Sequence, residues 1–147
     1  MKNLYLTAIF AVLLVVTSSA QEFLVVTTVE SVVPMGIGRS RMIVQTDSMN
    51  YQDFTTVRTD GKTAKDKSSR KDLKINNMDE TILLNFYSAV GINFQNIASN
   101  DAIITSKLNR LAKEGWELKF VTSGVESDAG DKDGNGIFIT RFIFYRD

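Results

Sequence analysis

The 147-residue chain contains no cysteine and no histidine. Without cysteine it can form no disulfide framework, no thiolate zinc site and no lipid-anchored cysteine. Without histidine it lacks the usual general base and the commonest metal ligand. Charge of one sign is not in excess either, because 17 basic residues balance 17 acidic ones. With no net field to attract a polyanion, we expect no nucleic-acid partner.

The first 20 residues predict a secretory signal peptide. Lys2 gives a positive start, residues 4–16 are almost wholly apolar, and Ser18 and Ala20 place small residues before a cleavage site after Ala20. The apolar run is too short for a transmembrane helix, which needs about 20 residues. We therefore expect a mature chain that begins at Gln21, has no membrane anchor after cleavage, and is periplasmic or extracellular.

Residues 21–147 are expected to form one α+β domain, with strands near both ends. Residues 22–33 are rich in Val and Thr, and residues 39–46 follow a turn that contains the single proline. These two segments predict a hairpin. Residues 116–120 alternate apolar with charged side chains, which predicts a strand with one buried and one wet face. Residues 137–146 are apolar on both faces, which is typical of a central or covered strand.

Two helices are predicted between these strands. Residues 78–90 place apolar side chains three and four residues apart. Residues 101–114 form the second, with Ser99 or Asn100 as its N-cap. Its apolar stripe comprises Ile104, Leu108, Leu111 and Ala112. The expected fold is an antiparallel sheet of about four strands with one or two helices packed on one face.

A local motif predicts where the second helix ends. Gly115 occupies the C′ position, which favours a left-handed glycine, and Trp116 follows at C″. From there the indole can pack on Leu111 at C3, the apolar contact that accompanies this kind of helix end. We assign Leu111, Gly115 and Trp116 structural roles. Replacement of Trp116 by alanine is expected to cost about 3–5 kcal/mol of stability.

The same segment, LNRLAKEGWELKFV at residues 108–121, resembles a bacterial family, the domain of unknown function 4177, which is built around an LxxLxxEGWEL-like sequence. The matching residues are Leu108, Leu111, Glu114, Gly115, Trp116, Glu117 and Leu118, with Phe144, Tyr145 and Arg146 at the end. The resemblance covers the C-terminal third, and residues 39–96 are much longer than this compact family needs. It implies an α+β fold and no established activity.

Residues 60–74 are unusually basic. Six lysines and arginines face three aspartates, and Leu73 is the one large apolar residue. This composition predicts a solvated, mobile loop. The alternative is a docking site for an anionic polymer such as a surface polysaccharide. No aromatic side chain is interleaved to stack on bases, which disfavours a nucleic acid.

Residues 131–137 match the first half of an EF-hand calcium loop. Asp131, Asp133 and Asn135 occupy positions 1, 3 and 5, and Gly136 occupies the turn at position 6. Position 12, which should be a bidentate glutamate, is Phe142. A polar hairpin turn favours the same residue types. We therefore expect no cofactor, with calcium as the one candidate, and no change in melting temperature when a few millimolar Ca²⁺ is added.

These observations favour an exported, non-catalytic binding or interaction module whose ligand the sequence does not identify. No catalytic residue is assigned, because the absence of histidine and cysteine leaves only Ser–Lys pairs or paired carboxylates. The alternatives are a small carboxylate-dependent hydrolase and a calcium-dependent surface module. A binding module should present a patch rich in aromatic side chains, whereas a hydrolase should present convergent carboxylates with perturbed pKa values.

Overall fold

A computed structural model describes residues 21–32, 40–63, 69, 71–88, 90–126 and 136–147. The predicted signal peptide and the three calcium-ligand candidates Asp131, Asp133 and Asn135 lie outside these ranges. The elements in chain order are β1 (Glu22–Ser31), β2 (Arg41–Gln45), a 3₁₀ turn (Tyr51–Phe54), β3 (Arg58–Thr59), β4 (Lys62–Thr63), β5 (Met78–Ile82), β6 (Tyr87–Ser88), β7 (Gly91–Ile92), helix α1 (Phe94–Lys113), β8 (Glu117–Glu126) and β9 (Ile137–Arg146).

Five of the strands form one antiparallel sheet in the order β5-β2-β1-β9-β8. β1 pairs with β2 along its first edge and with β9 along its second, over its whole length. The predicted β1–β2 hairpin and the central position of β9 are therefore confirmed. The short ladders β3–β4 and β6–β7 lie outside this sheet. The expected α+β fold is confirmed, with five main strands and, in the described residues, one α-helix.

The hydrophobic core lies between the sheet and α1. Val26 is paired with Val44 on one side and with Phe142 on the other, so these side chains share the face that α1 covers. Burial is deepest there. The core consists of Val26, Met42, Val44, Leu83, Leu111 and Phe144, with Leu24, Ile103, Leu108, Trp116 and Phe142 packed against it.

The predicted helix at residues 78–90 is wrong. Met78–Ile82 is strand β5, which pairs with β2 from Met78 opposite Gln45 to Ile82 opposite Arg41. The three-to-four spacing did not reflect a buried stripe, because Leu83 is 2% exposed whereas Val90 is 98% exposed. The free edge of β2 satisfies the backbone of β5, and this tertiary pairing outweighs a short helical pattern.

Helix α1 begins earlier than predicted. Asn93 is the N-cap, and its side chain accepts a hydrogen bond from the backbone N–H of Asn96 at 3.2 Å. Ser99 and Asn100 therefore lie inside the helix and do not cap it. Within the predicted stripe, Leu108 and Leu111 face the core, Ile104 is half-buried and Ala112 is exposed. The deeper contact comes from Ile103, one residue before the predicted Ile104.

The end of α1 has the predicted geometry. Gly115 has a φ of 85°, which favours glycine. Its N–H donates to the carbonyl of Ala112 at 3.1 Å, and the N–H of Trp116 donates to the carbonyl of Leu111 at 3.0 Å. These two bonds define a Schellman motif, in which otherwise unpaired helix carbonyls find donors.

Strand β8 differs from its prediction, which gave it one buried face. All ten of its residues are exposed. β8 is an edge strand, and a bulge between Leu118 and Phe120 shifts its register against β9. α1 packs over β1, β2 and β9 and leaves β8, at the edge of the sheet, exposed on both faces. The alternation of apolar and charged residues in β8 therefore does not correspond to a buried and a wet face.

Hydrogen bonds between Asp47 and Asn77 join the two ends of the long connection between β2 and β5. The Asp47 carboxylate accepts hydrogen bonds from the Asn77 side chain at 3.0 and 3.2 Å and from its backbone N–H at 3.3 Å. Within the connection, Asp60 and Gly61 both have positive φ and form the two-residue turn that joins β3 to β4. The basic segment thus begins with a tight hairpin that its composition did not predict. Residues 64–68 and 70 of the segment lie outside the described residues.

Candidate functional site

One face of the five-stranded sheet is not covered by α1, and we call it the open face. None of the described apolar side chains on this face is buried, whereas Val26, Met42, Val44 and Phe144 on the opposite face belong to the core. Its apolar members are exposed at the margins, where Phe23, Ile82 and Phe120 are each more than 60% exposed. The open face includes the Arg41–Glu80 ion pair together with Phe23, Val25, Thr27, Val29, Ile43, Ile82, Phe120, Thr122, Ile139, Arg141, Ile143 and Tyr145.

The sequence produces this face because β9 is apolar at most of its positions and β1 carries consecutive apolar residues from Phe23 to Val26. Alternate residues of each strand enter the core, and the others, such as Val25 and its partner Ile143, point to the opposite side. Val25 and Ile143 are only half-buried. A contiguous apolar surface of this kind marks an interaction site more often than a free surface.

Arg141 lies at the centre of the open face. On β9 it is paired with Thr27 of β1 and with Thr122 of β8. Its side chain is exposed, and no carboxylate among the described residues lies within 4.0 Å of it. By contrast Arg41 has Glu80 at 3.9 Å. Arg141 therefore presents its guanidinium donors, which suit a carboxylate or a phosphate, in the middle of apolar neighbours.

One end of the open face is aromatic. The rings of Phe23 and Tyr145 are 5.7 Å apart and tilted by 56°. Lys119 Nζ lies 4.8 Å from the centroid of the Tyr145 ring, a cation–π contact. The Tyr145 hydroxyl donates to the Asp147 carboxylate, and this hydrogen bond raises the pKa of Tyr145. Aromatic and basic side chains are the types enriched in binding surfaces.

The three residues assigned structural roles lie on the other side of the sheet. Leu111 is buried, and Trp116 packs against the core beside it. The guanidinium carbon of Arg146 lies 4.3 Å from the centroid of the Trp116 ring, and Arg146 also pairs with the Glu22 carboxylate. Gly115, Leu111 and Trp116 thus join α1 to β8 and do not belong to the open face.

The described carboxylates do not converge on a cleft. Glu30 is half-buried, and desolvation by burial raises its pKa, while a hydrogen bond from Asn100 Nδ2 at 3.0 Å lowers it and the charge of Asp101 raises it further. A surface groove of about 690 Å³ beside α1 is lined by Asp101 and not by Glu30. Glu30 therefore does not line the groove that Asp101 lines.

Gly136, the proposed turn residue of the calcium loop, has a different reason to be glycine. Its carbonyl accepts a hydrogen bond from the N–H of Val32 at 2.9 Å. A Cβ on Gly136 would lie 2.2 Å from Val32 Cγ2, so the two chain segments approach too closely for a side chain. Within the described ranges, no three acidic side chains gather as a metal site would require.

Comparison with known proteins adds no relative, since no family model, curated protein or solved structure matches the chain. The resemblance to the family of domain 4177 stays a prediction. In the ranges that the structure describes, no helix is long and apolar enough to cross a membrane. The open face is therefore the feature from which a function can be inferred.

Sequence reasoning had not singled out Arg141, Phe23 or Phe120. A signal for Arg141 was present, because it is the one charged residue between Ile137 and Tyr145 in an otherwise apolar strand. A charge within a strand that is apolar on both faces needs solvent or a partner on one side. The pattern did not show which face α1 leaves uncovered.

Proposed function

We propose that this chain is an exported, non-catalytic binding module that holds a partner protein on its open face. The observation that carries the proposal is Arg141, whose guanidinium has no carboxylate within 4.0 Å among the described residues, on a sheet face with many apolar side chains. Export is supported by the N-terminal signal pattern of residues 1–20. The absence of histidine and cysteine supports a binding role over catalysis.

The size of the open face suits a protein segment. With about 4.8 Å between strands and 3.3 Å per residue, three strands of ten residues and two of five span roughly 600 Å². A standard interface buries about 800 Å² on each partner. A small ligand would be enclosed in a concave pocket, whereas this face is an open sheet.

The chemistry of the face specifies the partner further. Arg141 lies between Thr27 and Thr122, with Ile139 and Ile143 on either side of it along β9, and arginine is enriched in binding hot spots. A guanidinium that loses water on binding needs an acidic group in exchange. The partner segment should therefore carry one aspartate or glutamate among apolar side chains.

Selection from a random peptide library on the purified protein tests this chemistry. We expect peptides in which one acidic residue lies among apolar ones. Arg141→Ala should weaken them at least tenfold, and Arg141→Glu should select peptides with a lysine or arginine instead. Arg110→Glu, which changes an exposed arginine of α1 to the same residue, serves as the matched control and should select acidic peptides like the wild type.

Two outcomes would refute the proposal. One is that Arg141→Glu selects the same acidic peptides as the wild type, and the other is that no peptide binds the open face.

Export is tested separately by the intact mass of the secreted protein. That mass should correspond to a chain that begins at Gln21, and retention of residues 1–20 would overturn the localisation.

A further inference from the structure

Strand β8 is the least covered part of the sheet. Every one of its ten residues is exposed, and the apolar ones lie on both faces: Phe120 on the open face, Val121 and Val125 on the side of α1. One edge of β8 pairs with β9. No described strand pairs with the other edge, so its backbone donors and acceptors face outward.

The two edges of the sheet differ in how they resist pairing. β5 is five residues long and carries Asp79 and Glu80, which is the usual protection of an edge. In β8 the segment 120–125 has neither a charge nor a proline. Its bulge and the charges of Glu117 and Lys119 lie at the start of the strand, and Glu126 lies at its end. A six-residue stretch of β8 is therefore open to strand addition.

We infer that β8 pairs antiparallel with β8 of a second copy of this chain, across a two-fold axis near Ser123. The strand is self-complementary in this arrangement. Val121 comes to lie opposite Val125 of the second copy, and Phe120 comes to lie opposite Glu126, with Lys119 next to Phe120 along the strand. Both contacts occur twice by symmetry, so the valines cover each other and a lysine lies one position away from each glutamate.

This arrangement closes at two copies. The edges that remain on the outside of the joined sheet are the two β5 strands, whose acidic residues repel each other and are not complementary to β8. An isologous contact of this kind uses the same patch on each subunit and leaves none for a third. The inference is independent of the open-face partner, because the pairing uses the edge of β8 and not Arg141.

Sedimentation velocity over a concentration series tests the inference with the purified protein. We expect the wild type to shift from the monomer mass to twice that mass as concentration rises. Val121→Lys with Val125→Lys should give a monomer at every concentration, because like charges would lie opposite each other. Met78→Lys with Ile82→Lys adds the same charge to exposed residues of β5 and should dimerise like the wild type.

A charge-complementary variant shows whether loss of the dimer is caused by charge repulsion or by misfolding. Val121→Lys with Val125→Glu should restore the dimer, and circular dichroism should show the same fold for all variants. A wild type that stays monomeric throughout would overturn the inference, as would a dimer that survives Val121→Lys with Val125→Lys. Loss of the dimer in the β5 control would also overturn it. Arg141→Glu should abolish acidic-peptide binding and leave the dimer intact, which separates this inference from the proposed function.

Discussion

The side-chain amide of Asn100 forms hydrogen bonds to both backbone polar groups of Leu84. The N–H of Leu84 donates to Asn100 Oδ1 at 2.7 Å, and Asn100 Nδ2 donates to the carbonyl of Leu84 at 2.7 Å. Asn100 is fully buried inside α1. The amide thus replaces a strand partner for the chain that leaves β5, and it fixes that chain to the helix.

Asn100→Ala should therefore be strongly destabilising. It would remove three hydrogen bonds of a fully buried side chain, two to the backbone of Leu84 and one to Glu30, and each contributes about 0.5–1.5 kcal/mol. We expect the free energy of unfolding to fall by about 3 kcal/mol in urea titrations. Asn109→Ala, at an exposed position of the same helix, is the matched control and should change stability by less than about 0.5 kcal/mol. Equal effects for the two variants would contradict the role assigned to Asn100.

The Glu30 carboxylate should make stability depend on pH. Burial raises its pKa above the ordinary value of 4.5, so the folded state binds this proton more tightly than the unfolded state. Its contribution is therefore favourable below pH 4.5 and is lost as the pH rises through the raised pKa. Glu30→Gln keeps an oxygen for Asn100 and removes the charge.

We expect the Glu30→Gln variant to gain stability relative to the wild type as the pH rises from 4.5 through that window. Thermal melts of both proteins at several pH values measure the difference. Glu117→Gln, at the exposed first residue of β8, is the control. A difference between Glu30→Gln and wild type that does not change with pH would show that Glu30 keeps its ordinary pKa.

Local signals predicted some parts of this fold and missed others for a physical reason. The helix end at Gly115 was predictable because its left-handed conformation and its contact with Leu111 involve neighbours in sequence. β5 was not, because its strand character comes from pairing with β2. The N-cap Asn93 was missed because the buried Asn100 offered an equally good capping residue type.

The open face illustrates the same limit. The apolar character of β9 on both faces predicted a central or covered strand, and helices were expected on one face of the sheet. A second helix at residues 78–90 would have supplied a further covering element, and the structure has a strand there instead. Arg141 became a candidate only when the register placed it between Thr27 and Thr122.

Gly115 offers a direct test of backbone strain. Its φ of 85° disfavours any residue with a Cβ, although the nearest atom to that Cβ would be Arg146 Cδ at 3.9 Å, an ordinary contact. Gly115→Ala should therefore cost about 1 kcal/mol through conformation alone. Gly124→Ala is the matched control, because no atom lies within 4 Å of its Cβ position and its φ is not positive. It should be neutral or slightly stabilising, and a loss as large as that of Gly115→Ala would refute the strain argument.

Trp116 should contribute through two separable contacts, one with the core and one with Arg146. Trp116→Ala removes both, and because the indole is half-buried we expect a loss of about 3 kcal/mol, at the lower end of large-to-small substitutions. Arg146→Gln removes the cation–π contact and the ion pair with Glu22. A double-mutant cycle isolates the Trp116–Arg146 coupling, which we expect to be about 0.5–1 kcal/mol. Glu22→Gln gives the ion-pair contribution alone. If the coupling is zero while Trp116→Ala still costs about 3 kcal/mol, the indole acts only through its packing on the core.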